Sequence, residues 1–206
     1  NNFGNTVSVV SGKNVSLNDT GAIDLGASTV SGNLTITANG PITDSGALDV
    51  NGTTSLTAGS ANDITLDAAN AFGGAVSAVS GRNVTLSDTG AIDLGASTIS
   101  GNLTVTANGA ITDSGNLSVT GTTSLTAGSA NDITLNAANT FGGAVSVVSG
   151  NNVTLVDTDA IDLGASTVSG NLTVTANGSI TDSGVLAITG ATSLAAGASN
   201  DITLDQ

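Results

Sequence analysis

Apolar residues fall at every second position in a series of short runs along this chain, and turn-forming residues separate the runs. The first are TVSVV (6–10), NVSLN (14–18), AIDLG (22–26), NLTITA (33–38), PITD (41–44), ALDV (47–50), TSLTA (54–58) and DITLD (63–67). Each reads as a half-buried strand, because successive side chains of extended backbone point to opposite sides. SGK, NDTG, NGP, DSG, NGT and GSAN between them supply the Gly, Asn, Asp and Ser of tight turns. No i, i+3, i+4 stripe appears, and β-branched residues abound, so helix has little claim. The predicted inward set is Val7, Val9, Val15, Leu17, Ile23, Leu25, Leu34, Ile36, Ile42, Leu56, Ile64 and Leu66, with their equivalents where the same runs return further along.

That pattern recurs. Phe3, Phe72 and Phe141 are the only aromatic residues and stand 69 positions apart. FGGAVSAVSGRNVTLSDTGAIDLGAST from Phe72 returns as FGGAVSVVSGNNVTLVDTDAIDLGAST from Phe141. The chain therefore reads as one segment, 1–206, of three units (3–71, 72–140 and a shortened 141–206), the signature of a repeat architecture. Apolar columns drawn through Val9, Ile36, Leu56 and Ala78, and through Val15, Ile42, Ile64 and Val84, divide each unit into three coils of roughly 23 residues. About nine such coils, each strand pairing with its counterpart one coil on, predict an all-β, right-handed parallel β-helix about 43 Å long. The competing fold is an array of antiparallel sandwiches. It would need two-residue primed hairpin turns, and the repeating unit is short for an immunoglobulin-like domain.

Composition narrows the function. The chain has 16 acidic residues, all Asp, against Lys13 and Arg82, for a net charge of −14. Phosphate neutralisation needs Lys and Arg, so nucleic-acid binding is excluded and anionic membrane surfaces are disfavoured. No run approaches the roughly 18 apolar residues that would span a bilayer, which leaves no direct membrane insertion by a helix. There is no Cys. With the acidity and the tandem units, that fits a secreted or surface protein that crosses membranes unfolded. The start in mid-unit at NNFGN reads as a segment of a longer protein, flanked by further repeats of its own kind.

GNLTVTANGAITDSG (101–115) and SLTAGSANDITL (124–135) resemble the repeats of filamentous-haemagglutinin-type exoproteins, large bacterial adhesins of two-partner secretion. The resemblance covers the whole chain. It implies a β-helical shaft on the bacterial outer surface that serves adhesion, aggregation or display of a distal tip, with host-cell or bacterial surface receptors or glycans as partners. It carries over no catalytic residue. Solenoids need polar caps, and neither NNFGN nor DITLDQ resembles one, so end-to-end self-association of the segment is expected.

Four Asp columns are candidates for a cation site, because Ca²⁺ takes clustered carboxylate and carbonyl oxygens. Asp19, Asp88 and Asp157 share one unit position, and Asp44, Asp113 and Asp182 a second. Asp24, Asp93 and Asp162 form a third, and Asp63, Asp132 and Asp201 a fourth. Neither the RTX nonapeptide nor the EF-hand pattern is present, and three-coil spacing would hold column members about 14 Å apart. Solvated turn acids are the plainer reading, and no cofactor is expected. Thr35/Thr37, Thr104/Thr106 and Thr173/Thr175 suggest the Thr rows of an ice-binding solenoid, but once in three coils is too sparse for one. Asn14, Asn33, Asn83, Asn102, Asn152 and Asn171 each begin an Asn-x-Ser/Thr sequon, more simply read as turn closure. Catalysis is not expected: Lys13 and Arg82 share a position with Asn151, and each acid pair is copied without unique surroundings. The reading is a structural shaft. A Ca²⁺-dependent or glycan-binding surface module is the alternative.

Overall fold

The computed structural model describes residues 1–206 and contains strands and turns but no helix. The alternating runs become short strands. The first ten are β1 (Val15–Asp19), β2 (Ile23–Leu25), β3 (Ser28–Val30), β4 (Leu34–Ala38), β5 (Ile42–Asp44), β6 (Leu48–Val50), β7 (Thr54–Thr57), β8 (Ile64–Leu66), β9 (Ala71–Phe72) and β10 (Val76–Ser80). Pairing between them is parallel: Val15 with Leu34, Leu34 with Thr54, Thr54 with Val76. The chain is a right-handed parallel β-helix. A front sheet begins β1-β4-β7-β10 and a back sheet begins β2-β5-β8. Each climbs through ten rungs, which enclose nine complete turns. At about 4.8 Å per rung the rod is about 43 Å long.

Between the two sheets lies one continuous core of 44 buried apolar residues. Every predicted inward residue of the first unit belongs to it or packs against it. Val30, Leu48, Val50 and Phe72 line it from a narrow edge sheet, β3-β6-β9. The alternating runs above do not include β3, because its buried positions are Ser28 and Val30 and only one of them is apolar. Ser28 is nonetheless satisfied, since its hydroxyl donates to the Gly26 carbonyl and accepts from the Val9 N–H. Ile202 and Leu204, expected inward as equivalents of Ile64 and Leu66, are exposed on the last coil, beyond which no further coil is stacked.

The coil is shorter than the sequence columns suggested. Val76 pairs with Leu94, Val15 with Leu34, Leu34 with Thr54 and Thr54 with Val76, and none of these partners is a full expected coil apart. Leu17 stands over Ile36, and Ile23 over Ile42, where the sequence columns had put Val9 and Val15. The error came from requiring each unit to close on a whole number of coils. It does not. Following the front sheet from Val15, the equivalent residue two units on, Val153, is reached after seven steps. Each unit therefore winds through three and a half coils.

Counting strands explains the half. Front, back and edge strands make three per coil, so β2 to β10 complete three coils. One strand per unit is left over, and it takes the opposite face. β1 lies in the front sheet, its equivalent Val84–Asp88 in the back sheet, and Val153–Asp157 in the front again. The edge sheet changes side in step: β3 follows a back strand, while its equivalent Ser97–Ile99 follows a front one. The crossing at the extra strand is made by Gly81, where an added Cβ would stand 3.0 Å from Ile64 Cδ1 and 3.1 Å from Val84 Cγ2. Glycine lets the chain pass there without Ile64 and Val84 having to give by a few tenths of an ångström.

Deleting residues 72–140 joins two equivalent junctions. The shortened protein is expected to keep its strand circular dichroism and to lose about 17 Å of length by small-angle scattering, three and a half rungs. Unchanged length or an unfolded product contradicts this winding.

Candidate functional site

The chain's chemistry-bearing residues are its aspartates, and most of them stitch one coil to another. Asp19, Asp88 and Asp157 are buried at the ends of equivalent strands. In each, one carboxylate oxygen accepts the Phe N–H of the neighbouring coil, at 2.7 Å from Phe3, 2.8 Å from Phe72 and 2.9 Å from Phe141. The other accepts an N–H two residues on, from Gly21, Gly90 and Asp159. The clamp stands where the edge sheet ends, so the recurring Phe and the recurring Asp are two halves of one joint. Thr89 completes it, donating its N–H and hydroxyl to the Asn70 carbonyl.

Asp44 and Asp113 perform a second join. Asp44 Oδ1 accepts from the Asp67 and Ala68 N–H groups, and Oδ2 accepts the Asn70 side-chain amide at 2.7 Å. Asn70 is fully buried and returns its own Oδ1 to the Leu48 N–H. Asp113, Asn136, Ala137, Asn139 and Leu117 repeat the arrangement, whereas Asp182 keeps only the Asp205 N–H on the last coil. Asn70 and Asn139 were not foreseen. Their signal was a polar residue recurring at a fixed unit position beside Phe.

Asp63 faces the corner of the next coil. Arg82 binds it through Nε at 2.8 Å and Nη2 at 2.7 Å, and in the next unit Asn151 donates to Asp132 instead. The variable Lys13/Arg82/Asn151 position is thus an exposed corner, and at Arg82 and Asn151 its tip reaches an acid one coil back. The guanidinium beside Asp63, with the Asn83 N–H, lowers that carboxyl to about 2. Asp24 accepts hydroxyls from Thr6, Thr43 and Ser45, and the Thr6 bond foremost lowers its pKa. Backbone N–H donors lower Asp19 and Asp132. Burial pushes Asp157 up, against the pull of its two N–H donors.

No three of these acids converge on a point that could hold a metal ion. Members of one column also lie further apart than expected. Consecutive ones sit on opposite faces, three and a half coils apart, and only every second one shares a face.

The sequon asparagines likewise bond across coils. Asn14 Oδ1 accepts the Asn33 N–H and Asn33 Oδ1 the Thr53 N–H, and Asn83 with Asn102 and Asn152 with Asn171 repeat the ladder. The Thr-x-Thr pairs recur every three and a half coils on alternating faces, while single hydroxyl residues are denser. On the back sheet Thr43, Thr65, Thr85, Thr104 and Ser124 stand on successive rungs. The coils vary in length, and the ladder aligns partners that a coil of uniform length would have set out of step.

A protein family described as repeats of unknown function (DUF5649) matches residues 12–79, 81–148 and 150–206. These matches start at Gly12, Gly81 and Gly150, keeping the 69-residue period with a different starting phase. No curated protein matches the chain. No solved structure matches it either.

Asp88→Asn keeps one acceptor oxygen and sets an amide NH₂ against the second N–H group of a buried joint, and is expected to cost about 1–3 kcal/mol in denaturant unfolding. Asp67→Asn, at an exposed carboxylate without a donor, should stay within about 0.5 kcal/mol. Equal effects would deny the clamp. The acids with lowered pKa stabilise the fold above their unfolded value near 3.8, and this is lost as pH falls through the lower folded value. Asp157 has the opposite sign: its penalty is present at neutral pH and is relieved by acid. Four acids against one predict a melting temperature that falls below about pH 4. A rise there would reverse the assignment.

Proposed function

The chain belongs to this DUF5649 repeat family, and from that premise we propose that it is a shaft segment of a secreted or surface-attached bacterial exoprotein of the filamentous-haemagglutinin kind. The β-solenoid itself is a repetitive structural module, and the proposal concerns what the module is for. One observation carries it: the recurring acids and amides are committed to coil-to-coil bonds, so repetition multiplies joints of the rod and builds no enclosed chemistry. Asp88, Asp113 and Asp132 each bind N–H groups of a neighbouring coil. A stiff spacer needs such joints on every coil. On this reading the segment is not an enzyme. Its nearest partners are flanking repeats, which would dock on its open end coils, and receptor contact belongs to a tip elsewhere in the parent.

A second reading, glycan binding along a broad face, draws on the hydroxyl carried by successive rungs from Thr43 to Ser124. The same rows would serve an ice-binding surface. Calcium dependence finds less support, since the candidate carboxylates already face N–H donors.

In the parent exoprotein, replacing these units by an equal length of unrelated β-helix is expected to leave adhesion unchanged, whereas deleting them weakens it with length. Loss of adhesion on replacement would overturn the shaft reading in favour of a binding face. Melting in EDTA and in CaCl₂ should coincide, and a shift of many degrees would point to a cation site.

A further inference from the structure

The half-coil left over in each unit sorts charge between the two broad faces. On the back sheet the rungs at 22–26 and 63–67 carry Asp24, Asp63 and Asp67 outward, while Asp44 between them is in register with buried Leu25 and turned to the Asn70 amide. The next three back rungs present Asn83, Thr85 and Ser87, then Asn102, Thr104 and Thr106, then Thr122, Ser124 and Thr126, without an outward acid. The front sheet at the same heights does the reverse. Its rungs carry Asp93 and Asp132 outward beside that neutral back block, with Asp113 turned to buried Asn139. Its first three rungs, through Ser16, Thr35 and Ser55, are neutral where the back is acidic. The third unit restores the first arrangement, with Thr154, Thr173 and Ser193 in front and Asp162 and Asp201 behind. Carboxylates therefore project from only one of the two faces along each block of rungs, and from neither at the rung of Val76–Ser80.

We propose that the back face docks on the front face of a second copy of this chain, parallel and without axial shift. In that arrangement every neutral block meets an acidic block, and no carboxylate faces another. Any stagger by half this pattern would oppose acid to acid on a chain of net charge −14. The donors are free: Thr85, Thr104, Thr106, Ser124 and Thr126 project from a sheet face that their own fold leaves open, whereas Thr43 and Thr112 on acidic rungs turn to Asp24 and Asp93. Most of the acids are already bonded within the rod, and Asp93 is the least occupied acceptor of the front block. Asp93 receives only one hydroxyl, from Thr112 at 3.5 Å. A face about 16 Å wide and about 43 Å long gives about 700 Å² per partner, close to the roughly 800 Å² of a standard interface. Because each copy keeps one face of each kind unused, the contact is head-to-tail across the rods and would continue into a flat raft.

Sedimentation velocity and small-angle scattering on the whole chain test this. The native protein should associate with rising concentration, thickening in cross-section at constant length. Thr85→Asp with Thr104→Asp, on the neutral back block, should weaken association at least tenfold. Mixing that variant with an Asp93→Lys copy should restore the pair, which also shows that the variant is folded. A native protein that stays monomeric to about 1 mM overturns the proposal. So does association that survives the double substitution or grows only in length, since that is contact through the rod's ends. Failure of the charge-reversed mixture to pair overturns it too.

Discussion

Parallel backbone hydrogen bonding between successive coils is the constraint from which the rest follows. A strand one residue out of register would turn its apolar side chains to solvent, so each coil must return the same inward set to the same place. The bonds fix the distance between coils at about 4.8 Å. That spacing leaves no room for a Cβ at many corners. One added at Gly40 would stand 2.7 Å from the Ala22 nitrogen. It also puts each corner side chain within reach of the next coil's N–H groups, which is why Asp and Asn fill the turns.

The half-coil per unit is a consequence of strand number. Ten strands cannot be divided evenly among coils of three, and the remainder rotates every following unit by half a turn. The unit's own chemistry is thereby distributed over both faces without any difference in sequence between units. Asp24, Asp93 and Asp162 illustrate it: identical neighbours in the sequence, alternating sides in the rod. The buried clamps obey the same rule. Asp19, Asp88 and Asp157 stand at alternating edges, and Asp88 and Asp157 each close the end of the edge sheet on their own side.

Alternation and turn residues made the strands and the core legible, since period-two burial needs only local sequence. The unit was legible because it repeats. Coil length was not, because it is set by how many residues each turn consumes, and these turns range from a two-residue corner at Gly26 and Ala27 to the longer GSAN bend at Gly59, whose φ is +79°. The apolar column through Ile36, Leu56 and Ala78 was read correctly. Its first member was not, since Val9 and Leu17 are both apolar and only the ladder distinguishes them. The acids were visible as columns. Their bonds were hidden, because a carboxylate's partner here is a backbone N–H on another coil, and a backbone N–H leaves no mark in a sequence.

The winding is most directly tested by a distance between two equivalent residues one unit apart. Nitroxide labels on cysteines placed at Ser16 and Thr85, in a chain with no cysteine of its own, would report it by pulsed electron resonance. Half-turn winding puts them on opposite faces at about 28 Å, combining about 17 Å along the axis with two sheets and two label arms across it. A distance of about 14 Å, the value for three whole coils on one face, would contradict the account.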